Sequence, residues 1–90
     1  MTEGRLFFSR HARDRMLDFG LDVTDVATAL SSGETIEEYE DGTKLVLGRS
    51  SGARPLHIVV KELRGTKFVI TCYIPDPARW DASFRHRMKP

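Results

Sequence analysis

Two side chains that could act together on a phosphate lie four positions apart near the start of the chain. His11 and Arg15 fall one helical turn apart if the segment around them is a helix. A histidine can act as a general acid or base near neutral pH, and a guanidinium can compensate the negative charge of a phosphate. The pair therefore indicates phosphate chemistry. A partly exposed histidine that packs on a sheet has the same spacing, and spacing alone favours this structural role.

Two further candidates lie in apolar segments later in the chain. His57 follows a Ser-Gly loop and begins a predicted strand, a position that often borders a site. Tyr73 lies two residues before Pro75, and its hydroxyl could donate to a phosphate or to a reacting oxygen. A histidine that caps a strand and a tyrosine at the end of a buried strand are the structural alternatives. The other side chains suited to ligand binding are three cations and one indole, Arg10, Lys61, Arg79 and Trp80.

Other kinds of chemistry lack their sequence signals. The three histidines, the single cysteine and the scattered acids show no ligand spacing of the zinc or two-histidine-carboxylate kinds, so we expect no metal and no other cofactor. There is no glycine-rich phosphate loop, no Gly-x-Ser-x-Gly elbow and no dinucleotide fingerprint. Cys72 lies in mid-strand without a basic neighbour in sequence, which predicts a buried, inert thiol.

The segment that must position these residues runs from Leu56 to Ile74. Two apolar, β-branched runs, LHIVVKEL and KFVITCYI, are joined by Arg64-Gly65-Thr66, which predicts an antiparallel hairpin. A two-residue loop sets the register Leu63–Thr66, Glu62–Lys67, Val60–Val69, Ile58–Thr71 and Leu56–Tyr73. On the other face, this register opposes His57, Val59 and Lys61 to Cys72, Ile70 and Phe68. Both faces are partly apolar, so we expect helices on one face and an open, concave groove on the other.

The remaining elements follow from periodicity and punctuation. A first helix is predicted over Arg10–Phe19 between Ser9 and Gly20, and a second from a Thr24 cap to Gly33. After the second helix we predict an acidic edge strand, a tight turn and a further strand. The first apolar segment of the chain is either a short strand or a hydrophobic lead into the first helix. These ranges are Glu34–Glu40, Asp41-Gly42, Lys44–Gly48 and Leu6–Phe8. The pattern predicts an α+β fold, with two N-terminal helices packed on an antiparallel meander sheet of four to five strands.

Length and charge set the broad class. The 90 residues suffice for one domain, residues 1–90, of which 78–90 form either a helical turn or a loosely ordered basic tail. The net charge is +1, with basic residues near both ends and acids concentrated in ETIEEYE. This asymmetry favours a basic patch that binds phosphate or an acidic partner. The alternative is ordinary solvated surface charge. No apolar run approaches the ~18 residues that span a bilayer, so we expect a cytoplasmic protein without a membrane partner.

Three motifs together resemble a known family. They are Ser9–Met16 (SRHARDRM), residues 54–60 (RPLHIVV) and Ile70–Trp80 (ITCYIPDPARW), with Gly33 between the first two. The combination resembles the bacterial domain-of-unknown-function 4258 family, from Phe8 to about residue 84. That family is similar in layout to the RelE/ParE superfamily of small toxins, whose fold of helices followed by an antiparallel sheet matches the predicted order.

The resemblance also implies a function. In RNA-cleaving members of the superfamily, basic and aromatic side chains on the open sheet face and the C-terminal segment bind messenger RNA and assist attack of a 2′-hydroxyl on the adjacent phosphate. By resemblance, His11, Arg15, His57 and Tyr73 occupy motif positions of the family. The implied activity is a metal-independent ribonuclease with either histidine as acid or base, Arg15 at the phosphate, and Trp80 or Tyr73 stacking on a base.

The resemblance leaves alternatives open. The implied partners are RNA or the ribosome, together with a small antitoxin-like protein. A non-catalytic module that inhibits or regulates a protein partner through the sheet groove and the basic tail is the second hypothesis. A domain that keeps only the fold and binds a small ligand is the third.

Overall fold

The computed structural model describes residues 5–88, which form two helices and one five-stranded mixed sheet. In chain order the elements are β1 (Arg5–Phe8), α1 (Arg10–Phe19), α2 (Val23–Ser32), β2 (Glu34–Glu38), β3 (Thr43–Arg49), β4 (Pro55–Leu63) and β5 (Thr66–Tyr73). The strand order is β1-β5-β4-β3-β2. Strands β2 to β5 form the predicted antiparallel meander, and the acidic strand β2 lies at an edge as predicted.

The α+β class is confirmed, but the predicted layout of N-terminal helices on a purely antiparallel sheet is wrong. The chain begins with a strand, and β1 pairs with β5 in parallel. Both helices lie between β1 and the meander, and such a crossover lets two strands of one sheet run in the same direction. Leu6 and Phe8 are the reason that this short segment joins the sheet, because both pack against the hydrophobic core.

The helices begin and end at polar and glycine signals. Ser9 caps α1 by accepting from the Ala12 N–H, and Gly20 ends the helix at φ +67°, both as predicted. The predicted Thr24 cap of α2 is wrong. The cap is Asp22, two positions before Thr24, and it forms a capping box with Asp25.

The core lies between the helices and one face of the sheet. Gly48 on β3 permits close packing there, because a Cβ at this position would overlap the backbone of Ala29 on α2. The strand β4 contributes core residues from alternate positions, Leu56, Ile58 and Val60, which fixes its other positions on the second face. The core consists of Ala12, Met16, Leu21, Val26, Ala29, Val46, Leu56, Ile58, Val60, Val69 and Cys72.

A bulge in β5 changes the predicted hairpin register. The Arg64-Gly65 loop has positive φ at both residues, and the register is as predicted from the loop to the Val60–Val69 pair. Beyond it the predicted pairs are wrong, because Ile70 is an extra residue in β5 and is 37% exposed. Ser9 holds the bulge by donating its hydroxyl to the Ile70 carbonyl at 2.7 Å.

The bulge decides which side chains meet on the second sheet face. His57 pairs with Tyr73 instead of facing Cys72, which is placed on the core face and is fully buried. The pKa of the Cys72 thiol is raised by burial, which agrees with the predicted inert thiol.

The segment after β5 folds back over part of this second face. Residues 76–88 contain no helix, and an antiparallel bridge between Trp80 and Arg87 closes them into a loop. The Asp81 carboxylate organises the loop by accepting from the backbone N–H groups of Ser83 and Arg85 and from the Ser83 hydroxyl. We call residues 76–88 the tail.

Two acids of β2 bind the tail instead of solvent. Arg85 makes two hydrogen bonds to Glu34, at 3.0 and 2.6 Å, and Arg87 makes two to Glu37, at 3.2 and 3.0 Å. Part of the uneven charge seen in sequence is therefore an internal attraction between edge strand and tail. Within residues 5–88, neither helix has the length and apolar character needed to cross a membrane.

Candidate functional site

A groove of about 300 Å³ lies where α1, the end of β5 and the tail meet. Arg15 and Phe19 come from α1, while Tyr73 is the last residue of β5. The groove combines cations, aromatic rings and one carboxylate, which are groups suited to a phosphate-bearing ligand. The lining residues are Arg15, Phe19, Tyr73, Ile74, Asp76, Arg79, Trp80 and Arg87.

The three arginines of the groove differ in how strongly they are held. Arg79 is the most available, since its side chain is 83% exposed and its contact with Asp76 is 4.0 Å long. Arg15 binds Asp18 at 3.3 Å and lies over the Phe19 ring, 5.0 Å from its centroid. Each pairing is a surface contact that a phosphate could replace or share.

Arg87 is the most firmly fixed of the three. Its Nε and Nη2 atoms donate to Glu37, and its guanidinium lies over the Trp80 ring at 4.7 Å. Tyr39 donates to the same carboxylate at 2.6 Å. A guanidinium has five N–H donors, so these contacts leave three donors of Arg87 for a ligand, the two of Nη1 and one of Nη2.

Tyr73 forms a hydrogen-bonded pair with a buried histidine behind the groove. His57 is fully buried, with Nδ1 3.2 Å from the Tyr73 hydroxyl and Nε2 2.8 Å from the Phe84 carbonyl. A carbonyl only accepts, so Nε2 carries the proton and Nδ1 of the neutral ring accepts from Tyr73. Burial lowers the pKa of His57 and raises the pKa of Tyr73, which keeps both groups uncharged at neutral pH.

His57 also anchors the tail. The indole of Trp80 packs edge-on against the imidazole, with ring centroids 4.3 Å apart. Phe84, whose carbonyl accepts from the imidazole, has a φ of +61°, a conformation that a bulky side chain rarely adopts. The hydrogen bond from His57 therefore helps to hold a strained point of the tail in place.

The structure brings together half of the residues chosen from sequence. Arg15, Tyr73, Arg79 and Trp80 all line the groove, and His57 lies directly behind it. Trp80 is only 4% exposed, with Arg87 and His57 against it, so its ring has no open face for stacking on a base.

Three other candidates lie elsewhere. His11 is exposed on α1 one turn from Arg15, but it is not among the groove-lining residues. Arg10 is exposed at the start of the same helix. Lys61 lies towards the opposite end of the second sheet face, where it pairs with Thr43 and Phe68 in the ladders.

Sequence reasoning missed four groove residues, Phe19, Ile74, Asp76 and Arg87. Phe19 appears in the sequence only as the last residue of a predicted helix, and Asp76 only as part of the family motif ITCYIPDPARW. Arg87 carried a usable signal, because an arginine-rich tail and an acid-rich edge strand are complementary in charge. Within residues 5–88, no three His, Cys, Asp or Glu side chains are grouped as a metal site requires.

Comparison with protein families identifies one family that matches most of the chain. The family model described as Domain of unknown function (DUF4258) matches residues 8–74. The chain belongs to this family. The match includes α1, the meander and Tyr73, and it ends before the tail that completes the groove. Searches of curated proteins and of solved structures found no match.

Proposed function

We propose that this member of the DUF4258 family is a RelE/ParE-like, toxin-type domain that binds RNA in the groove and cleaves it without a metal ion. The observation that carries the proposal is that Arg15, Arg79 and Arg87 line one groove together with Tyr73. Guanidinium groups bind phosphate oxygens through charge-assisted hydrogen bonds, and several of them on one groove suit a polyanion. RNA as the ligand implies action in the cytoplasm, on free RNA or on the ribosome.

In the proposed cleavage, Tyr73 replaces the histidines as the group that contacts the reacting atoms. The 2′-oxygen attacks the adjacent phosphorus, the bond from phosphorus to the 5′-oxygen breaks, and a cyclic phosphate forms. The 2′-hydroxyl proton passes to the Tyr73 oxygen while the Tyr73 proton passes to Nδ1 of His57. The departing 5′-oxygen takes a proton from water. The hydroxide formed takes the proton of the Tyr73 hydroxyl, and Tyr73 regains a proton from Nδ1 of His57, which restores both groups. Arg15 and Arg79 compensate the charge that develops on the phosphate.

The test is RNA cleavage by purified protein in EDTA, with naked RNA and translating ribosomes as separate substrates. Tyr73→Phe removes the hydroxyl and keeps the ring, so cleavage should fall by about 10²–10⁴-fold. The melting temperature should also fall by several degrees, because Nδ1 of buried His57 loses its hydrogen-bond partner, so cleavage is assayed well below the melting temperature of the variant. Arg13→Ala, on the exposed side of α1, is the matched control for loss of a surface charge and should cleave normally. Cleavage that is indifferent to Tyr73→Phe would refute this chemistry.

Binding is measured separately from cleavage. Arg79→Ala should weaken binding of labelled RNA by about tenfold, because one charge-assisted contact is lost. Absence of both RNA binding and cleavage in the wild-type protein would instead favour a module that binds a protein partner.

A further inference from the structure

The second sheet face carries an exposed aromatic pair away from the groove and the tail. Phe7 on β1 and Phe68 on β5 lie side by side in the parallel register, with ring centroids 5.6 Å apart and planes 17° from parallel. Their exposed fractions are 49% and 40%. Two neighbouring phenylalanines at this exposure leave apolar ring surface in water, which a binding role would explain.

The charges around this pair favour a polyanion as its occupant. Arg5 lies on the same face of β1 two residues away, and Lys61 is the ladder partner of Phe68 on β4. The acids of the strands on this face are Glu34 and Glu37, which lie on the distant strand β2 and are bound by tail arginines. Asp41, in the turn after β2, lies near Lys61, and its pKa is lowered by hydrogen bonds from Thr43 and by the Lys61 charge. The aromatic pair therefore has cations beside it and no acid on the same face of β1, β5 and β4, since Glu62 of β4 alternates to the other face.

The pair and the groove are joined by one strand. Phe68 and Tyr73 are five residues apart on β5, and the bulge at Ile70 returns both side chains to the second face. At the usual rise of a strand, their separation along β5 is roughly 16 Å. A single RNA strand that follows β5 can therefore reach both positions.

We infer that Phe7 and Phe68 form a stacking platform for an unpaired base of the RNA whose phosphates lie in the groove. The inference rests on the proposed RNA binding and restricts the ligand to single-stranded RNA, because a base must leave its helix to stack on a side chain. Stacking on phenylalanine accepts any base, so the platform adds affinity without reading sequence. Lys61 holds the backbone next to the stacked base.

The experiment compares two labelled probes of equal length, an oligouridine and an abasic oligoribonucleotide, by fluorescence anisotropy. Phe7→Ala and Phe68→Ala should each weaken oligouridine binding by about 5-fold to 100-fold and leave the abasic probe unaffected. Leu17→Ala is the matched control, because Leu17 is 81% exposed on α1 and lies off the platform. Phe68→Leu keeps the apolar contact without a ring and should lose affinity, whereas Phe68→Tyr should retain it.

The outcomes separate this inference from the proposed function. Wild-type affinity for oligouridine in both alanine variants, with weak binding by Arg79→Ala, would overturn the platform and leave RNA binding in the groove intact. Equal losses for both probes would also overturn stacking. If neither probe binds the wild-type protein, both proposals fail. If wild-type protein self-associates in sedimentation and Phe68→Ala does not, the aromatic pair is a protein interface and the inference is wrong.

Discussion

The two halves of the second sheet face show how the same kind of surface can be used in opposite ways. Under the tail, His57 is fully buried, and Trp80 closes over the imidazole. On β1 and β5, Phe7 and Phe68 are about half exposed. Burial of the apolar surface in the covered half stabilises the fold, whereas the rings of the bare half stay accessible to a ligand. The groove lies at the border, where the tail adds Arg79 and Arg87 to β5.

The strongest way to break this comparison is to remove the indole that covers His57. Trp80→Ala should lower the free energy of unfolding by about 3–5 kcal/mol, since a large buried side chain is replaced by a cavity. Urea denaturation measures the change. A shift as small as that of an exposed residue would mean that the tail does not pack on the sheet.

The border can be tested by two arginines that hold the tail in the same manner. Both Arg85 and Arg87 bind glutamates of β2, but only Arg87 lines the groove and lies over Trp80. Arg87→Ala should weaken RNA binding about tenfold, and Arg85→Ala should leave it nearly unchanged. Equal losses of RNA binding in the two variants would show that RNA binding needs only the attachment of the tail to β2 and no direct contact with Arg87.

The covered half should also give the protein a pH dependence. Burial lowers the pKa of His57 below its ordinary value of 6.5, so the unfolded chain binds a proton that the folded protein excludes. Stability from this group is fully present above pH 6.5 and declines as the pH falls towards the folded-state pKa. Melting temperatures of wild type and His57→Gln across this window should converge at the acidic end. Parallel curves would contradict a buried neutral imidazole.

The smallest expected effect is on the bare half. Phe68→Ala should change the free energy of unfolding by only about 0.5–1 kcal/mol, because the ring is partly exposed and loses mainly its contact with Phe7. The urea midpoint measures this. A loss comparable to that of Trp80→Ala would mean that the platform residues are core residues.

The two halves also differ in how far the sequence predicts them. The hairpin loop and the first four ladder pairs were predictable, because turn chemistry and alternation are local signals. The bulge at Ile70 was not, since it is held by Ser9, 61 residues away in the chain. That one insertion turned Tyr73 towards His57, so the predicted face of Tyr73 was wrong.

The tail shows the same limit at the level of charge. Composition revealed basic residues at the end and acids on the edge strand, but it could not say which of them would pair. Glu37 was predicted only as one acid of an edge strand, and in the structure it fixes Arg87 in the groove. The sequence did not decide whether Leu6–Phe8 forms a strand, because so short a segment shows no clear period. In the structure, the packing of Leu6 and Phe8 against the core makes the segment strand β1.

The central claim is that the groove binds RNA phosphates, and the salt dependence of binding tests it most directly. For wild type, the logarithm of the association constant for a labelled oligouridine should fall linearly with the logarithm of the salt concentration. Removing one phosphate contact by Arg79→Ala should make that slope shallower by about 0.7, and Arg13→Ala should not change it. A slope that is the same in wild type and Arg79→Ala, or binding insensitive to salt, would contradict the account.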